Sequence, residues 1–516
     1  MFMSNVAFGI KRFSGSRLLY DISSKVHFAI ILAITSYMHV IGHAQSYQSR
    51  MIEVPAMQEE LSFIQRKLNE IHPEPYHYIS KQTFDERVEK MQSDLSSMTK
   101  EQWFIRLSTL ISSLHDGHTT IRYDDNERTR YYQEGGKTLP FSLTMLDNGR
   151  LIIQDNFTSD SSLDSAVIYS VDGHPIEEVI TTMRPLTFGE LDVFRNAQLA
   201  NRFALFFRVM YGVTDSVTLE FTQNDLDLQT KKYACLNGWQ YNEQWNKKYA
   251  NKEVLTSEHM KFTLHGKRPI ALLNLYDFNT YEDYQDSILH VFKTIKEQQI
   301  DTLIIDIRGN GGGQFDITEE INHYLMDTSW VLVSKAKVKM SDEFMKVFPG
   351  IISFFMPILP TKFLISTAAY FVSRNTRVEE IIKTVDTTTD APIYDIYTRA
   401  NKHFSEDYLF KGTVILLTDR RSYSMSGMFA AIMKDYKRAI IVGEETGGLA
   451  NPHGAMTSVI LPHSKFSFSL STSRAYRPSG VFDDRGVIPD IHIPYITLKQ
   501  ANTIDQCMSL IHDHSN

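Results

Sequence analysis

Apolar positions recur at two spacings along the chain, and the change of spacing marks its organisation. Between residues 56 and 114 the period is helical: Leu61, Ile64, Leu68 and Ile71 share one face, and Phe104, Leu107, Ile111 and Leu114 share another. Thr83 with Glu86, and Thr99 with Gln102, have capping-box spacing and predict two helix starts. The last of these helices breaks into Leu114-His115-Asp116-Gly117-His118-Thr119, and an alternating Thr120-Ile121-Arg122-Tyr123 follows. A helix that ends in a polar turn before a strand is well placed to present a side chain. From 136 to about 228 the runs are short and strand-like: 139–143, 151–153 and 166–171, with a tight turn at Asp172-Gly173 and a short helix over 175–183. Residues 233–255 are polar and predict a connector.

A third pattern begins near Lys261. Strand-like 270–275 precedes a helix over 284–298, and the near-continuous apolar run 302–307 predicts a strand covered on both faces. That run stops at Arg308-Gly309-Asn310-Gly311-Gly312-Gly313, with a helix to about Met326. Residues 413–448 repeat the plan as apolar strand, polar serine loop, helix and second strand, so the class is α/β. Between the two units lies an insertion, 335–410. Its apolar segment 348–365 is interrupted by Pro349, Gly350, Pro357 and Pro360, which predicts a buried irregular segment rather than a membrane span, with a lid or a surface patch as the alternative.

Composition narrows this only slightly. A hydrophobic share of 42%, a charged share of 22% and a net charge of -8 over 516 residues fit a globular chain of two or three domains. Without a run of Lys or Arg, nucleic acid is not an expected partner. The N-terminus carries Lys11, Arg12, Arg17 and Lys25, an apolar run over 26–41, then Gly42-His43-Ala44-Gln45. This predicts a secretory signal cut after Ala44 and an exported protein, or a membrane anchor if the segment is retained. Membrane contact is otherwise expected only through 348–365. Cys235 and Cys507 are the sole cysteines, too few for a zinc site or a disulfide framework.

Two turns could carry chemistry. Glycines after a buried strand and before a helix expose backbone N–H groups; Gly309 to Gly313 lacks the lysine of a phosphate loop and suits an oxyanion better. Ser424 sits where strand passes into helix, as a helix cap or as a nucleophile lifted above the strand ends. A nucleophilic serine needs a base and a group to hold that base. His118 offers a base, with His115, His453 and His463 as rivals, and an acid could come from the stretch 482–490.

Asp116-Gly117-His118-Thr119, the glycine loop 306–313, Ser422-Tyr423-Ser424-Met425-Ser426, Gly443-Glu444-Glu445-Thr446-Gly447-Gly448 and Gly486-Val487-Ile488-Pro489-Asp490 occur in one order. Together they resemble the serine peptidase family of C-terminal processing (tail-specific) proteases, the tricorn core protease and interphotoreceptor retinoid-binding protein, over roughly residues 56–495. The resemblance implies a crotonase-like α/β core over 261–500, a degenerate PDZ-like β-rich module with connector over 136–260, a helical region over 45–135 carrying His118, and a tail over 501–516. It implies a peptide or protein substrate and neither cofactor nor metal. Ser424 matches the nucleophile. The lysine of the tail-specific branch is replaced by Leu449, so the resemblance points to the tricorn-like branch, with His118 as base and Asp483 as acid, Asp484 being its close rival. The oxyanion donors would be the amides of Gly311, Gly312 and Met425. A non-catalytic binding protein on the same scaffold, or an esterase, are the alternative readings.

Overall fold

The computed structural model describes residues 49–223, 227–249, 259–279, 281–347, 382–386, 391–397, 400, 405–499 and 501–514. The expected signal segment 1–44 and the apolar segment 348–365 lie outside the described residues.

The buried runs of the third region form a sheet in the order Met260–Leu264, Ile270–Leu275, Thr302–Asp306, Thr413–Thr418, Ile440–Gly443, Ile491–His492. Its first pair is antiparallel and the remainder parallel. Successive side chains of a strand face opposite ways, so Leu303 and Ile305 enter one apolar cluster while Ile304 enters another. On the first face the sheet meets the helices Tyr281–Glu297, Phe315–Leu325 and Met425–Asp435. The second face is closed by the C-terminal helix Ile504–His514, through Ile504 and Cys507. What the sequence suggested as a tail is therefore part of the core. Arg308 fastens it, bonding the carbonyls of Leu498 and Ala501 while pairing with Asp306.

The β-rich module is an antiparallel sheet in the order Gln229–Ala234, Ser216–Thr222, Val167–Val171, Leu151–Asn156, Phe141–Met145. Against it packs a helix that the apolar pattern did not reveal, Asp192–Tyr211, which buries Leu199, Phe203, Phe206 and Phe207. Its first residue follows Leu191, which makes no side-chain cap, so no start signal announces it. The polar connector likewise contains a helix, Gly238–Tyr249.

In the N-terminal region, helix Lys100–Ser112 begins with the expected Thr99–Gln102 capping box, whereas helix Lys81–Ser93 is capped by Ser80 rather than Thr83. The strand Thr120–Arg122 that follows His118 pairs with Ser467–Leu470, so the helical region is hydrogen-bonded into the later part of the chain. Part of the expected insertion is integral in the same way: Lys335–Lys339 pairs with Ile393–Tyr397 and with Ser473–Tyr476. Cys235 and Cys507 are free and buried in different apolar clusters. Among the described residues no helix is long and apolar enough to cross a membrane.

Candidate active site

Ser424 is the last residue before helix Met425–Asp435, and its backbone is unusual: φ 56°, ψ -122°. Non-glycine residues at positive φ are strained, by about 1–3 kcal/mol in sparsely populated regions. The surroundings hold it there. Ser422 bonds the carbonyl of Ile307 through its hydroxyl and accepts the amide of Asp419, Tyr423 donates its amide to Asn310, and Gly448 accepts no side chain because a Cβ there would lie 2.7 Å from Ser424 N. The Ser424 hydroxyl makes no capping hydrogen bond. It meets His118 Nε2 at 2.9 Å.

His118 is buried and arrives on its own tightly bonded turn. Asp116 Oδ1 accepts the His118 amide at 2.8 Å, and Oδ2 accepts from Thr119 Oγ1 at 2.6 Å, Ser471 Oγ at 2.7 Å and His72 Nε2 at 2.8 Å. His72 Nδ1 accepts the Glu74 amide, which fixes the proton on Nε2 and makes His72 the donor. Burial pushes the Asp116 carboxyl upward, but the hydrogen bond from His72 and nearby histidine charge outweigh it and hold the pKa well below the usual carboxylate range. For His118, burial lowers the pKa, the Asp116 charge opposes this and Arg122 adds to the lowering, so the ring is neutral at pH 7. A neutral imidazole is what a general base requires.

Neither acid that the resemblance implied is hydrogen-bonded to His118. His118 Nδ1 lies 3.2 Å from the Tyr423 hydroxyl, and no hydrogen bond joins the ring to Asp483 or Asp484. Asp484 is occupied by Arg474 at 3.0 Å and Tyr78 at 3.3 Å, and Asp483 Oδ1 is buried without a partner. The aromatic ring of Tyr423, adjacent to the serine in sequence, stacks over His118 and takes up the space beside Nδ1. The glycine loop also needs a correction. Gly312 N–H is spent on Asn310 Oδ1 at 2.8 Å, so it is not free for an oxyanion. Gly312 is needed as a space instead: at φ 90°, a Cβ would lie 2.7 Å from Met425 N and 2.9 Å from Ser424 Cβ. The amides of Gly311 and Met425 have no backbone partner among the described residues.

The rival bases His463 and His453 lie elsewhere. His463 pairs with Glu59 at the surface, and His453 is buried beside His72 and Glu74, its pKa lowered by burial to about 4. Ligand atoms of His72, Asp116 and His453 lie within 4.8 Å of one another. They fit a cation poorly, because Asp116 Oδ2 already accepts from several donors and His72 Nε2 carries a proton. Lys434 bonds Ile488 O and Asp490, away from Ser424, and Leu449 is fully buried.

Residues 269–493 match the model of peptidase family S41. Over those residues the chain is similar to peptidase family S41. One curated relative, the tail-specific protease of Haemophilus influenzae (strain ATCC 51907 / DSM 11121 / KW20 / Rd), is 40% identical over 65 residues, 12% of this chain and 9% of that protein. The chain thus matches under a tenth of that relative's length. Among solved structures, mature CPAF complexed with lactacystin aligns at TM-score 0.60 with 15% identity, covering 86% of this chain and 94% of that one. Mature CPAF alone gives the same score and identity, covering 86% and 93%. At that identity the likeness shows the fold alone, a mixed α/β structure of several sheets.

Sequence reasoning missed Tyr423 and Glu190. Glu190 precedes the module helix and accepts the Gly117 amide through Oε1 at 3.2 Å. Phe194, from the same helix, stacks on Tyr423 with ring centres 4.0 Å apart and planes 1° apart. Tyr423 was legible as a neighbour of the serine; nothing local in 187–194 marks Glu190 or Phe194 as site residues.

Proposed function

We propose that this chain, similar to peptidase family S41 over residues 269–493, is an exported serine peptidase in which Ser424 attacks the peptide carbonyl and His118 is the general base. The observation that carries this reading is the 2.9 Å contact between Ser424 Oγ and His118 Nε2 at a serine held at positive φ. His118 takes the proton as Oγ attacks, then returns it to the leaving amine. The developing oxyanion is received by the Met425 and Gly311 amides, the first of them at a helix N-terminus where the dipole favours negative charge. The reading divides the chain into a leader over 1–44, a helical region over 45–135, a PDZ-like module with connector over 136–260 and a crotonase-like core over 261–500. The substrate class is peptide or protein, as in the tail-specific protease that part of the chain resembles.

Digestion of a peptide library tests this. Wild type cleaves peptides, and Ser424→Ala lowers the rate by at least roughly 10,000-fold, as expected when a nucleophile is lost. Cleavage that persists in Ser424→Ala overturns the assignment.

A further inference from the structure

We propose that Glu190, acting through Tyr423, decides which ring nitrogen of His118 carries the proton. The inference rests on the peptidase reading only for its kinetic consequence; the geometry stands by itself. His118 Nδ1 has the Tyr423 hydroxyl as its neighbour, and Glu190 is the carboxyl group behind that hydroxyl. Both crowd the same face of Gly117: a Cβ there would lie 1.8 Å from Tyr423 Oη and 3.2 Å from Glu190 Oε2. Glu190 Oε1 is anchored by the Gly117 amide, while Oε2 is buried and has no hydrogen-bond partner. A buried carboxyl oxygen left unpaired is costly. Rotation about the last torsion of a glutamate is soft, so a small turn that keeps Oε1 on the Gly117 amide would bring Oε2 to Tyr423 Oη, directly or through one water.

The direction of the chain then follows from proton count. With Glu190 ionised, Oε2 can only accept; Tyr423 donates its hydrogen to it and offers a lone pair to His118. Nδ1 must then carry the proton, leaving Nε2 bare to receive the Ser424 proton. With Glu190 protonated, Oε2–H donates to Tyr423, Tyr423 donates to Nδ1, and the proton sits on Nε2, which can no longer act as a base. Tyr423 remains a neutral hydroxyl throughout, because burial, the Glu190 charge and the Asp116 charge push its pKa well above the usual value. Glu190 and Tyr423 are positioning residues: neither touches the substrate or transfers the reacting proton.

The titratable groups facing Glu190 are Asp116 from the histidine turn, Arg474 from strand Ser473–Tyr476, Tyr78 from the loop after helix Val54–Ile71, and Tyr423 from the serine turn. Burial first, then the Asp116 charge, push Glu190 up to about 8, while the Gly117 amide and Arg474 oppose the rise. The base-competent form is accordingly the alkaline one.

The test follows the rate of Ser424 labelling by a fluorophosphonate from pH 6.5 to 9, together with the His118 tautomer read by ¹⁵N NMR of the full chain. In wild type, labelling rises nearly tenfold per pH unit until it levels near pH 8, as for a single essential ionisation, and the proton is on Nδ1 above that point. Glu190→Gln keeps its oxygen on the Gly117 amide and turns its NH₂ to Tyr423, so it copies the protonated form. It labels at or below the wild-type pH 6.5 rate, without a slope, and carries the proton on Nε2. Tyr423→Phe, which retains the ring stack, also loses the slope. A Glu190→Gln protein with the wild-type slope, or with the wild-type tautomer at pH 9, overturns the inference. If wild type shows no Ser424-dependent labelling, the peptidase reading fails, and the tautomer comparison still decides this one.

Discussion

Two turns bring a carboxyl group up to the histidine, and they treat it in opposite ways. The turn at 115–119 belongs to the N-terminal region and surrounds Asp116 with donors: the His118 amide, Thr119, Ser471 and His72. The turn at 187–191 belongs to the β-rich module and gives Glu190 the Gly117 amide, leaving Oε2 unpaired. Both carboxyls are buried, yet Asp116 is held well below the ordinary range and Glu190 is pushed up to about 8. Burial is common to both, so donors and neighbouring charge together decide the sign: histidines and their hydrogen bonds lower Asp116, and the Asp116 charge raises Glu190. The permanently ionised acid fixes the turn that carries His118. The one that titrates sits where a change of charge reaches His118 through Tyr423.

The largest effect is expected at Asp116. Asp116→Asn puts an NH₂ group or a neutral oxygen against donors that expect a carboxylate, and breaking such a buried network costs about 3–5 kcal/mol; urea denaturation should report a loss of that size. The next effect concerns Glu190. Its pKa is raised in the folded state, so between the unfolded value near 4.5 and about 8 the folded protein holds a proton that the unfolded chain has lost. Stability therefore falls as pH rises through this window, by on the order of 3 kcal/mol between pH 5 and 8. Glu190→Gln should flatten that fall by the same amount when the two unfolding curves are subtracted; parallel curves would show that Glu190 titrates normally.

Gly117→Ala sharpens the contrast at its hinge. The added methyl falls on Tyr423 Oη and beside Glu190 Oε2, displacing Tyr423 from His118 while leaving Asp116 and its donors in place. A misplacement of about 1 Å costs on the order of 100-fold in rate, so kcat should fall about that much with KM little changed. The smallest effect is expected at Phe194, whose stack on Tyr423 is the module's other contact with the site. Phe194→Leu should cost about 1 kcal/mol of stability, the range of an aromatic pair beyond its buried area, measured by thermal unfolding.

Much of the core was legible because its signals are local. The run 302–307 is apolar throughout since both faces of Thr302–Asp306 are covered, and the serine turn declares itself through the strand, the polar loop and the helical period after Met425. The Thr99 cap is likewise a matter of three residues. What escaped depends on partners remote in sequence. Glu190 meets Gly117 across 73 positions, and helix Asp192–Tyr211 starts without a capping side chain. Asp483 was placed by resemblance to a turn, whereas the space beside His118 Nδ1 is filled by the neighbour of the serine itself. Gly312 was expected as an oxyanion donor; its amide is taken by Asn310, and its lack of a side chain is what the serine turn needs.

The proposed chemistry stands on Ser424 as nucleophile and His118 as base. Peptide mapping of a fluorophosphonate adduct, made under identical conditions on wild type and His118→Ala, tests it most directly. The expected result is one adduct, on Ser424, formed at least about 1,000-fold more slowly without His118. An adduct on another serine, or an unchanged rate in His118→Ala, would contradict the account.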